Sequence, residues 1–409
     1  MREMKDSGVK WIGEIPVTWN VYRNKNAFVC SKDLVGGKSS ETQLLSLTTK
    51  GIKLKDINNA EGKLPESFDT YQYVKKDEMV MCLFDLDCSA VFSGLSPYDG
   101  MISPAYKVLT CTDRMEPKYA DYWFQYISHG RKFNHYAKNI RYTLSYEEFS
   151  ALPMLFPDRE EQIRISNYLD AKCSKIDEII EKQHAIIEKL KEYKLSYINE
   201  VTNVNDGIKC HLGFIGQMKN GLNFTDTSEG HKIKFLGVGD FKDNFFVDKE
   251  EMFSTIISEE NVAEDYMLHS GDIVFVRSNG SKELVGRAVM VNGIEYPVTY
   301  SGFCIRFRNI RPDIIDSKFL LYYFRSLDFR KQLEKYSQGS NISNLNQDLL
   351  SSLQFTIPSK DYQKRRLDEM EIKCKEIDNA VIKFEGMNNK LQEYKKSLIY
   401  EGVTGKKEV

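Results

Sequence analysis

Apolar residues recur on a seven-residue rhythm, with steps of three and four, at Leu169, Cys173, Ile176, Ile180, Ile187, Leu190, Tyr197 and Val201. That spacing predicts a long helix with one narrow apolar seam. A second stretch repeats it at Met370, Cys374, Ile377, Val381, Phe384, Leu391 and Leu398. Polar residues interrupt the seams at Gln183, Lys194, Asn388 and Lys395, and each predicted helix begins just after a proline, Pro157 or Pro358. A helix of about 42 residues would be about 60 Å long at ~1.5 Å per residue. So narrow a seam is too thin to bury in a globular core, but two such helices can cover each other as an antiparallel pair.

The two stretches are copies. Residues 157–200 align without gaps to 358–401, a shift of 201, with 16 of 44 positions identical. Unrelated chains of average composition would share about three. The likeness continues loosely upstream, where KYADYWF (118–124) pairs with KFLLYYF (318–324) and DEMVMC (77–82) with DIVFVR (272–277). Ahead of each helix, short β-like runs such as MVMCLF, DIVFV, RAVMV and FCIRF are broken by Gly, Asn and Asp turns. The expected fold is α+β: two similar mixed α/β modules, 1–157 and 206–358, each followed by a spacer helix, 158–205 and 359–409. The helices would form an antiparallel coiled coil, and the duplication a pseudo-twofold internal repeat.

Composition narrows the class. With 409 residues, 41% hydrophobic and 28% charged, the chain is long enough for two or more folded domains. Fifty-seven basic against 59 acidic residues leave a net charge of −2, so any nucleic-acid-binding surface must be regional. No apolar run approaches the ~18 residues of a spanning helix, and the start carries no leader pattern, so a cytoplasmic protein without membrane contact is expected. The eight cysteines are scattered without CxxC pairs, arguing against a zinc site or a disulfide framework. Cys210 and His211 have no second ligand pair at metal spacing.

Catalytic signals are missing. Gly-Gly-Lys-Ser at 36–39 lacks the leading glycine of a phosphate loop, since position 32 is Lys32, and FLGVGD (235–240) lacks a third glycine. Pro157-Asp158 with Glu192-Tyr193-Lys194 imitates a nuclease motif, but on one helix these groups lie about 50 Å apart. No Pro-Pro, HExxH or GxSxG occurs. No catalytic residue, metal site or cofactor is expected on this chain.

A basic, aromatic and amide-rich segment does occur late in both modules. The first, HGRKFNHYAKNIRYTLS, holds Arg131, Lys132, Lys138, Arg141 and Tyr142. The second, FRKQLEKYSQGSNISNLN, holds Arg330, Lys331, Lys335, Gln338, Ser340, Asn341 and Asn344. Lys, Arg and Ser contact phosphates, Arg suits guanine, and Asn and Gln suit adenine, so these are candidate DNA-contacting residues.

The order of module, helix, module, helix resembles the specificity subunits of type I restriction-modification systems. The opening DSGVKWIGEIPVTW (6–19) resembles that family's start, and the helices ending in KEYKLSYINEVT (191–202) and QEYKKSLIYEGVTG (392–405) resemble its repeated helical blocks. The resemblance implies a non-catalytic subunit whose two target recognition domains read the halves of a split, asymmetric double-stranded DNA site. It implies two methyltransferase subunits as partners, with two motor-nuclease subunits, so that S-adenosylmethionine, ATP and Mg would be held by partners. Leu169, Ile176, Ile180, Ile187, Leu190, Ile377, Val381, Leu391 and Leu398 would build the spacer between the half-sites. Two other readings stay open from sequence: reading and methylation combined in one polypeptide, and a coiled-coil scaffold joining two protein-binding modules.

Overall fold

The computed structural model describes residues 2–49, 51–56, 65–86, 93–136, 142–224, 230–258, 261–281, 283–336 and 344–409. Two helices of 44 residues each, Arg159–Thr202 and Lys360–Val403, realise the two seams. Both start where the proline signal places them. Asp158 Oδ1 accepts from Glu161 N at 2.8 Å and Ser359 Oγ from Tyr362 N at 3.3 Å, side-chain caps for otherwise unpaired helix amides.

The chain divides into two compact units, Met1–Gln183 with Glu385–Val409, and His184–Phe384. Each unit therefore contains the root of one long helix and the far half of the other. In the first unit Lys395 Nζ donates to both carboxylate oxygens of Asp177 at 2.7 Å, and Leu169 packs against Gly402. In the second, Lys194 Nζ donates to both oxygens of Asp378 at 2.7 Å, and Tyr362 Oη donates to Val201 O at 3.1 Å. Both pairings are antiparallel. Lys194 and Lys395 are equivalent residues, as are Asp177 and Asp378, so one ion pair is made twice with the copies exchanging roles. Leu169, Cys173, Ile176, Ile180 and Leu398 are buried in the first unit, and Ile187, Met370, Cys374 and Ile377 in the second; Leu190, Val381 and Leu391 are half-buried.

The modules repeat each other beyond their recognisable sequence likeness. The first unit has an antiparallel sheet in the order Phe28–Ser31, Lys107–Cys111, Met79–Met81, Ser93–Leu95. The second has Gly216–Asn220, Cys304–Asn309, Ile273–Val276, Ala288–Val291, extended by Phe246–Val247, which pairs in parallel. An aromatic helix covers each sheet, Pro117–His129 in one and Ser317–Phe324 in the other, with Trp123 and Phe124, or Phe319 and Phe324, buried. A short helix then leads into a strand (Tyr146–Ala151 into Pro153–Phe156; Gln347–Ser352 into Gln354–Ile357) and on to the long helix.

One amide fastens each module to its helix. Gln162, 1% exposed, accepts from Glu116 N at 2.8 Å and donates to the carbonyls of Arg114 and Pro157, each at 3.0 Å. Gln363, also 1% exposed, accepts from Asp316 N and donates to Ile314 and Pro358, all at 2.8 Å. Lys118 with Asp170, and Lys318 with Glu371, repeat a surface ion pair beside it.

The opening block packs onto the first unit's helices. Buried Trp19 donates from Nε1 to Glu161 Oε2 at 2.9 Å, and Arg2 pairs with the same carboxylate. Gly405, at φ +70°, lies where a Cβ would come within 2.5 Å of Pro16, so glycine serves both backbone and space. Among the described residues, no helix is long and apolar enough to cross a membrane.

Removing the clasp leaves three backbone groups unpaired, one of them, the Pro157 or Pro358 carbonyl, buried. Gln162→Ala and Gln363→Ala are each expected to cost about 2–4 kcal/mol. Denaturant unfolding followed by hydrogen exchange would localise the loss to residues 114–116 and 157–162 in the first case, and to 314–316 and 358–363 in the second.

Candidate nucleic-acid interface

In both units the central strand runs out of the sheet into a loop, and the segment entering the short helix returns beside it. Leu345 N donates to Arg277 O at 2.8 Å, and Ser278 bridges to Asn344. Leu144 N likewise donates to Leu83 O at 2.8 Å, and Leu86 N donates to Tyr142 O at 3.3 Å. Leu144 and Leu345 are 201 apart, so the duplication places a like backbone clamp on the strand exit of each unit.

In the second unit four segments converge there. Arg277 N donates to Phe303 O at 2.7 Å, Gly302 N to Leu222 O at 2.7 Å, and Phe303 N to Ser301 Oγ at 3.2 Å. Arg277 Nη1 donates to Gly302 O at 3.3 Å. A Cβ on Gly302 would meet Asn223 Oδ1 at 2.2 Å, so this glycine admits the asparagine side chain. Phe303 is 58% exposed although it sits on a backbone held by these bonds. An exposed ring on a backbone shared with Asn223, Arg277, Ser278 and Asn344 offers stacking area near amide, guanidinium and hydroxyl groups, a set suited to base edges.

The residues anticipated from sequence are distributed unevenly. Asn344 joins the four-segment surface, and Tyr142, exposed and in the left-handed region at φ 45°, lies at the equivalent mouth in the first unit. Arg131, also left-handed at φ 47°, is exposed. Lys132 Nζ lies 5.9 Å from the Tyr126 ring centroid, and Tyr126 packs on Tyr400 of the second long helix with centroids 5.4 Å apart. Arg330 is bound within its own module, donating to Val285 O at 2.6 Å and to Glu334 at 2.8 Å, whereas Lys331 is exposed. Lys138, Arg141, Gln338, Ser340 and Asn341 lie outside the described residues. Asn223, Arg277 and Phe303 were missed. A polar run after a buried strand, IVFV into RSNGS, was the available signal for Arg277, but nothing local marks Phe303.

Other chemistry is structural. Burial pushes the equivalent thiols Cys173 and Cys374 up to about 11, and Cys111 and Cys304 up to about 12. Burial first, then the neighbouring Arg287, lowers Arg325 to about 10, and its guanidinium lies 4.3 Å from the Phe245 centroid. His211 Nδ1 lies 2.9 Å from Ser352 O. Among the described residues no three His, Cys, Asp or Glu side chains group as metal ligands would.

Residues 210–383 match the family model described as the type I restriction modification DNA specificity domain. The chain is 25% identical over 300 residues to the StySPI specificity subunit of a type I restriction enzyme from Salmonella potsdam, covering 65% of this chain and 63% of that protein. It is 25% identical over 146 residues to the EcoKI specificity subunit of Escherichia coli K12, covering 36% of this chain and 31% of that one. The matched stretches thus span under two thirds of either relative's length. Among solved structures, a chain reported under the structural basis of complex assembly and conformational transition of the type I R-M system shares the fold, with a TM-score of 0.72 at 12% identity, over 96% of this chain and 99% of that one.

The two basic positions in the Leu327–Tyr336 helix should separate on thermal unfolding. Arg330→Ala is expected to destabilise by about 1–2 kcal/mol through the unpaired Val285 carbonyl, and Lys331→Ala to stay within about 0.5 kcal/mol of the parent.

Proposed function

We propose that this chain is a specificity subunit of a type I restriction-modification system, the non-catalytic address-reader of an adenine-methylating and restricting complex; the match of residues 210–383 and the 25% identity over 300 residues support this reading. Each module (1–157 and 206–358) reads one half of a split, asymmetric double-stranded site, and the spacer helices (158–205 and 359–409) set the unread gap. The observation that carries this reading is the clamped loop pair made twice, at Leu83/Leu144 and at Arg277/Leu345, with different side chains at the two mouths. A duplicated frame with unlike contacts suits a site with two unlike halves.

Arg277, Asn223, Asn344 and Phe303 are the base-contacting group of the second module, with Asn341, Gln338 and Ser340 on the adjoining segment. Tyr142 holds the corresponding place in the first module, and Arg141 is its neighbour in sequence. Lys132, Arg131, Lys138 and Lys331 supply phosphate contacts, whose strength falls as salt rises. Arg330 acts by positioning its helix.

Two methyltransferase subunits and two motor-nuclease subunits complete the assembly, and they hold the S-adenosylmethionine, ATP and Mg. Supporting their docking on the outward helix faces, each unit exposes an equivalent apolar pair one heptad apart, Ile186 with Tyr193 and Met387 with Tyr394. The complex works in the cytoplasm, on the host's DNA.

Mapping methylated adenines in a host with and without this gene tests the reading: a split motif should appear only with it, and its absence would refute the proposal. In that assay Arg277→Ala should relax one half-site by about 1–3 kcal/mol and leave the other unchanged. Adding one helical turn after Ile180 and at the facing turn before Leu391 lengthens the pair by about 5.4 Å, so the gap should grow by on the order of one to two base pairs. Ile186→Asp with Tyr193→Asp should sharply reduce co-purification of the methyltransferase subunit.

A further inference from the structure

The two copies of the seam agree in character almost throughout: Leu169 with Met370, Cys173 with Cys374, Ile176 with Ile377, Ile180 with Val381, Leu190 with Leu391, Lys194 with Lys395. Between Leu169 and Lys194 they change between polar and apolar at two positions, where Gln183 corresponds to Phe384 and Ile187 to Asn388. The antiparallel register fixes what faces what. In the ion pairs the facing residue numbers add to 572 (177 + 395 and 194 + 378), and Leu169 with Gly402 gives 571. Gln183 with Asn388 gives 571, inside the first unit, and Ile187 with Phe384 gives 571, inside the second.

Both amides are in the seam, Gln183 8% and Asn388 6% exposed, while their chain neighbours Lys182, His184, Met387 and Asn389 are exposed. Gln183 Oε1 and both amide atoms of Asn388 make no hydrogen bond to any other group of the protein. The duplication has thus gathered its two buried amides into one layer and its aliphatic and aromatic residues, Ile187 and Phe384, into the next.

We propose that this split pair of layers decides which helix pairs with which: it accepts the first helix with the second and rejects either helix with its own copy from another chain. Two first helices paired antiparallel would set Gln183 against Ile187 in both central layers, and two second helices would set Phe384 against Asn388 in both. Each such layer sets an amide against hydrocarbon alone, whereas in the native register the two amides, though not hydrogen-bonded to each other, face a polar side chain and share one layer. Lone polar residues in a coiled-coil seam specify pairing in this way, at a cost in stability. The need for it arises during synthesis. The first helix ends 201 residues before the second, a delay on the order of 10–40 s at ~5–20 residues per second, during which an apolar seam lies uncovered beside other nascent chains.

The test co-expresses two full-length chains carrying different tags, purifies through one tag and measures recovery of the other. The parent should give background recovery. Gln183→Phe with Asn388→Ile makes both layers apolar and alike, and should raise mixed-tag recovery by about tenfold or more, as expected when a mismatched buried amide is removed. Its Tm should equal or exceed the parent's, while Gln183→Phe or Asn388→Ile alone should lower Tm, a non-additive pattern that places the two residues in one layer. Ile187→Gln provides an independent route: it makes both central positions of the first helix polar, so like helices match amide to amide, and mixed-tag recovery should rise although Tm falls. Background recovery for both the double variant and Ile187→Gln would overturn the proposal, as would additive Tm changes in the first set.

Discussion

A helix with a narrow apolar seam cannot bury it alone, and this chain solves the problem by making the helix twice and crossing the copies antiparallel. The crossing explains identities that a single helix would not require. Ile176-Asp177 and Ile377-Asp378 recur because each isoleucine fills the seam while each aspartate receives the lysine of the other copy, Lys395 or Lys194. Because root and tip of different helices share a unit, each compact unit needs sequence from distant parts of the chain. The packing of Gly405 on Pro16 and Trp19 is one consequence.

The second constraint is local. Gln162 and Gln363 each satisfy one backbone amide and two carbonyls at the junction of module and helix, so the orientation of the module on its own helix root is set by hydrogen bonds with little angular slack. Around that fixed joint the modules have diverged. Both sheets keep the same strand order, but the second adds a parallel edge strand and a separate three-stranded sheet, whereas the first carries a short hairpin, Leu45–Thr48 with Gly51–Leu54. Divergence at the loop mouths and constancy at the joint are what two readers on one frame require.

Much of the architecture was legible. The seven-residue rhythm gave both long helices, and the prolines their starts, because periodicity and helix initiation are properties of adjacent residues. The buried runs MVM, IVFV and AVMV became central strands for the same reason. The candidate interface was legible only as a region. Arg330 has the composition of a DNA contact, but its guanidinium is engaged by Val285 O and Glu334, which no spacing rule announces.

The sequence by itself determined the duplication, the seam, its polar interruptions and the basic, amide-rich segments, since each is a pattern along one stretch of chain. Tertiary structure alone decided that Lys194 meets Asp378, that the Gln183 and Asn388 amides are buried without hydrogen-bond partners, and that Phe303 stands exposed beside Arg277. Those outcomes depend on register between helices and on hydrogen bonds between loops distant in sequence. Such distances are set when a sheet closes and two helices cross, and no local preference encodes them.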